Sequence, residues 1–201
     1  MESNYTGIIM DNLSRLYANS PHLLENRLPA VKDGERYLFQ AFGESCIISP
    51  EGITLDGKTV TDPRGIIISL YALNAKAEPC RLSPFKAYKE FPGTMPYAGA
   101  FGTHTEQILV PYTDSIMEKA TIIRERLNGN DAPDDMGGDM AFIVNPLPKI
   151  YLCYIFYTAD EDFPAAVTCL YSFNAGDFLP SDALADVGEY SSKKIIELVT
   201  P

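Results

Sequence analysis

Three adjacent carboxylates, Asp160, Glu161 and Asp162, are the sharpest polar feature of this chain. Set on a loop between two apolar runs, they could hold a hard cation through oxygen ligands, or supply an acid and a base. Asp139, just after Gly137 and Gly138, is the further carboxylate that a metal-assisted hydrolase would draw on. Neighbouring residues of an extended chain point to opposite sides, so the three converge on one ion only if the loop bends. The simpler expectation is a turn at Asp162-Phe163-Pro164, with Phe163 anchored in the core.

A second candidate lies in FKAYKEFPGTMPYAGAF, residues Phe85 to Phe101. Lys86 and Lys89 are its positive charges, beside Tyr88, Phe91 and Tyr97. An aromatic-lined cleft with one or two cations suits a planar or anionic small molecule. The competing reading is a rigid loop whose aromatics fill the core. Cys153 and Cys169 would face each other in a hairpin centred on residue 161, as a redox pair or as two thiols packed like small hydrophobes. His22 and His104 have no partner at ligand spacing, although Glu106 stands near His104. No phosphate loop, GxGxxG or GxSxG motif occurs, and no cofactor is read from the sequence.

Composition narrows the classes. The 201 residues suit one domain, and 46% hydrophobic with 21% charged residues is an ordinary globular balance. A formal charge of -11 argues against nucleic acid and against docking on anionic lipid. The longest apolar run falls far below the ~18 residues of a membrane span. The N-terminus lacks the basic start and apolar core of a secretory signal. The four cysteines show neither metal spacing nor a disulfide framework, so the expectation is reduced thiols in a cytoplasmic protein.

Mixed periodicities must position these groups. Helices are expected over Tyr5 to Asn19, from Asp62-Pro63 to Lys76, over Pro96 to Val110, from a capping box at Ser115 and Glu118 to Leu127, and over Ser181 to Val199. Arg36 to Phe42, Ser45 to Ser49 and Gly52 to Leu55 read as a small meander, with Asp56-Gly57 a further hairpin signal. Strands follow at Met140 to Val144, Ile150 to Tyr157 and Ala166 to Phe173. The middle one is apolar on both faces, so it should be central, and its short connection implies antiparallel pairing with the next. The result is a single α+β domain: antiparallel strands, in an N-terminal meander and a C-terminal hairpin, packed by several helices.

One order of short motifs runs through the chain: FKAYKEFPG, PYAGAF, GGDMAFIVNPLPKI, DEDFPA, FLP and LADVGE. This order resembles a domain-of-unknown-function family found mainly in anaerobic bacteria and archaea, over about Tyr37 to Glu189. Some relatives carry an iron–sulfur-binding cysteine segment and are linked to corrinoid metabolism. Here no cysteine precedes Cys46, so that role does not transfer. The resemblance implies domain limits and supplies no catalytic residue. Two readings remain: an accessory protein that binds a small molecule or protein partner through Phe85 to Phe101, or a hydrolase using Asp139, Asp160, Glu161 and Asp162. Oligomeric state is not readable.

Overall fold

The computed structural model describes residues 4–18, 21–74 and 76–200, the side chains of 21–23 apart. The first helix, α1 (Asn4–Ala18), buries Ile9, Leu13 and Leu16 along one face. Its expected last residue, Asn19, and the His22 side chain lie outside the described residues. Strands β1 (Val31–Asp33), β2 (Arg36–Ala41), β3 (Glu44–Ser49), β4 (Gly52–Leu55) and β5 (Lys58–Thr59) form an antiparallel meander in that order. The Asp56-Gly57 turn has positive φ at both residues, 45° and 76°, as a two-residue hairpin of this twist requires.

Helix α2 (Pro63–Asn74) begins at the expected proline, with Asp62 accepting the Arg64 N–H, and stops short of Lys76. It packs on α1, where Asn12 donates to Ser69 at 3.0 Å between otherwise apolar surfaces. The two-residue strand β6 (Lys86–Ala87) follows.

The stretch expected as one helix from Pro96 to Val110 is a series of different turns. A 3-10 turn at Met95–Tyr97 leads into α3 (Ala98–Phe101), a π-helical turn at Gly102–Glu106 and a 3-10 segment at Gln107–Tyr112. Pro111 cannot donate to a regular ladder, and the wide π turn lets Glu106 reach the sheet. The Ser115 capping box is also corrected. Helix α4 (Thr113–Glu118) is capped at Tyr112, three residues before Ser115, which leaves Ser115 inside its first turn. Lys119 separates it from α5 (Ala120–Arg126) and donates its ammonium to the Val199 carbonyl.

The second sheet runs β6-β10-β9-β8-β7, with β7 (Asn130–Asp131), β8 (Met140–Leu147), β9 (Ile150–Tyr157) and β10 (Ala166–Tyr171) all antiparallel. Strand β9 is central, as its pattern predicts. Leu152, Tyr154 and Phe156 enter the main core, while Cys153 and Ile155 enter a smaller cluster closed by Phe85, Ala132 and Met136. Each such side chain removed from water stabilises the fold by about 1.5–3 kcal/mol. Helix α6 (Ser181–Val199) spans its expected range and buries Leu184, Val187 and Ile195 in the main core. No helix among the described residues is long and apolar enough to cross a membrane.

The hairpin register corrects the cysteine expectation. Cys169 lies opposite Tyr154, and Cys153 opposite Leu170. The pairing therefore centres between residues 161 and 162, and the two thiols face opposite sides of the sheet. All four cysteines are free.

Candidate functional site

Strand β10 stops at Tyr171, two residues before the expected end, and the continuation builds a cleft. Lys86 pairs with Tyr171 in the ladder, and beyond it the Phe173 N–H donates to the Leu82 carbonyl at 3.2 Å. Residues 81–86 thus run alongside the end of β10. Arg81 and Lys86 are thereby brought to the Phe173 ring. Arg81 Cζ stands 4.4 Å and Lys86 Nζ 4.0 Å from its centroid, within cation–π range. Lys86 Nζ also lies 5.7 Å from the Phe91 ring.

Asn174 holds this arrangement. Its side chain is buried, accepts the Arg81 N–H at 2.8 Å and donates to the Pro79 carbonyl at 3.1 Å. The floor of the cleft is Phe91, Leu179 and Leu184, and Ser181 adds the first turn of α6 to the wall. Gly176 belongs there because a side chain would strike the Phe91 ring at 2.8 Å. The cavity is about 400 Å³, a size usual for small-molecule sites.

The charge balance favours an anion. Neither Arg81 nor Lys86 is ion-paired among the described residues. Their distances to one ring centroid, 4.4 and 4.0 Å, place the charges at most 8.4 Å apart. At that separation they repel by about 0.5 kcal/mol in bulk water and about 2 kcal/mol at an effective permittivity near 20. Asp177 is the acid of the lining, is exposed, and is not ion-paired with either cation.

The structure separates the residues proposed from sequence. Lys86 and Phe91 line the cleft. Tyr88 is 2% exposed, stacks on Phe101 at 4.5 Å, and donates its hydroxyl to the Ser181 carbonyl at 2.7 Å. Tyr88 therefore supports the cleft from behind. Lys89 is exposed outside it. Tyr97 is 41% exposed and lines a separate notch with His104, Asp182 and Asp186. Burial, with Glu189 and Asp182, raises the Asp186 carboxyl.

The acidic loop stands at the other end of β10. That strand has six residues, or about 20 Å at the usual rise, so loop and cleft share no pocket. Asp160 accepts the N–H groups of Asp162 and Phe163 at 2.8 and 2.7 Å, a tight turn. Phe163 is 70% exposed and anchors nothing, contrary to expectation. Asp139 accepts the Thr158 N–H and hydroxyl at 2.6 and 2.7 Å, and these bonds hold its carboxyl below the usual range. Among the described residues no three His, Cys, Asp or Glu side chains form a group able to hold a metal ion.

A model of the family described as Domain of unknown function (DUF3786) matches residues 20–194, most of the chain. The chain belongs to this family. Every residue of the cleft falls within the DUF3786 span, which begins earlier than the expected Tyr37. No curated protein and no solved structure matches the chain. Arg81, Phe173 and Asn174 escaped the sequence reading. Asn174 is far from Arg81 in sequence, and only the β10 pairing joins them.

Proposed function

We propose that this DUF3786 chain is a binding protein for a small anionic molecule with a flat apolar body. One observation carries the reading: Arg81 and Lys86 reach a single aromatic ring inside a concave cleft, unpaired with any carboxylate among the described residues. The ring offers contact area, the cations orient a negative group, and Phe91, Leu179 and Leu184 exclude water beneath. The first turn of α6 adds its dipole, which Asp182 in the same turn partly offsets. A whole corrinoid does not fit about 400 Å³, so a role in corrinoid metabolism would involve a smaller anion or a protein partner.

Calorimetric titration with 1-naphthalenesulfonate tests the reading. Saturable binding is expected, weakened at least tenfold in a double variant carrying Arg81→Gln and Lys86→Met. Equal affinity in wild type and variant would remove the cleft from consideration.

A further inference from the structure

Resting on that reading of the cleft, we infer that it selects a doubly charged anionic group of the phosphate-monoester type over a singly charged group of the same shape. Two cations, not one, serve the position: Arg81 Cζ and Lys86 Nζ are at most 8.4 Å apart, given their 4.4 and 4.0 Å distances to the Phe173 centroid. A guanidinium presents a planar fork to two oxygens, whereas an ammonium acts as a point charge. A head group that reaches both sets a negative charge against each cation, and its second charge is matched only where the second cation is present.

The backbone that carries the pair is also held in place. Lys86 is set by its ladder position opposite Tyr171, and the Arg81 main chain by Asn174 and by the neighbouring Phe173 bond to Leu82. Little ordering of the backbone is left for the ligand to drive. Asp177 is the opposing charge of the lining, and its exposure lets solvent screen it.

The test compares 1-naphthyl phosphate with 1-naphthyl sulfate, which share a ring, a bridging oxygen and three terminal oxygens. The phosphate loses its second proton near pH 6, whereas the sulfate stays singly charged. At about pH 7.5 the phosphate should bind about tenfold or more tightly, the order of one added charge-assisted hydrogen bond. The advantage should shrink towards parity at about pH 5. It should also vanish in Arg81→Gln, with the melting temperature unchanged. The sulfate series reports any titration of the protein itself. Equal binding of both probes at both pH values overturns the selectivity and leaves the cleft reading intact. Failure of both probes to bind wild type overturns both. A phosphate preference that survives in Arg81→Gln and in Lys86→Met places the dianion elsewhere and overturns the inference.

Discussion

Asn174 accepts the backbone N–H of Arg81 at 2.8 Å, across 93 residues of sequence. The bond ties the segment before β6 to the turn after β10, and the cleft exists only while they stay together. Asn174→Ala removes both this acceptor and the donor to Pro79. Two part-buried backbone groups then lose their partner, at about 0.5–1.5 kcal/mol each. Chemical denaturation should show a loss of that order, and 1-naphthalenesulfonate binding should weaken alongside it.

Lys86 and Lys89 form an internal comparison, three residues apart with only Lys86 in the cleft. Both are solvent-accessible, so replacing either with Met should change stability by about 0.5 kcal/mol or less. Anion binding should fall in Lys86→Met and stay unchanged in Lys89→Met. Paired melting curves and titrations check both halves.

Glu106 gives the fold a pH dependence. Its carboxylate accepts the Cys169 N–H at 2.9 Å, on the side of β10 away from β9, where the pairing with β6 does not extend. Burial raises its carboxyl above the ordinary 4.5, against the opposing pull of that N–H and of Lys89. The folded state therefore holds this proton better than the unfolded chain. Its contribution to stability is full below pH 4.5 and is lost as pH rises through the raised value. Glu106→Gln keeps an acceptor without the charge, so it should melt higher than wild type near pH 7, the gap closing below pH 4.5. A lower melting temperature near neutrality would mean that the charged hydrogen bond outweighs burial.

The thiols should divide into two groups. Cys46, Cys153 and Cys169 are buried, and burial pushes Cys153 up to about 12. Cys80 is half-buried, also raised by burial, with Ser172 and Lys149 opposing. Alkylation of native protein should mark Cys80 alone at short times, and all four after unfolding. Mass spectrometry of the labelled peptides reads this directly. Early labelling of Cys153 would show that the cluster under Phe85 opens readily.

How much was legible follows from where each signal resides. The centrality of β9 is written locally, since Leu152 to Phe156 is apolar at every position. The start of α6 is also local, with Pro180 before Ser181. The turns from Met95 to Tyr112 were not legible. Apolar spacing near four survives when the hydrogen bonds change from 3-10 to α to π, and Glu106 reaching Cys169 is a tertiary event. The thiols of Cys153 and Cys169 needed the register to within one residue, which an eight-residue loop does not dictate. Half of the cleft was visible as Lys86 and Phe91. The other half, Arg81, Phe173 and Asn174, is assembled by long-range pairing.

The central claim is that the cleft at the end of β10 takes an anion through Arg81 and Lys86. Amide chemical-shift mapping of the full chain during titration with 1-naphthalenesulfonate tests it most directly. The predicted result is a saturable set of shifts confined to residues 81–92 and 173–184, absent in the Arg81→Gln and Lys86→Met double variant. Shifts centred on Asp160 to Asp162, or on His104 and Asp186, or an unchanged spectrum, would contradict it.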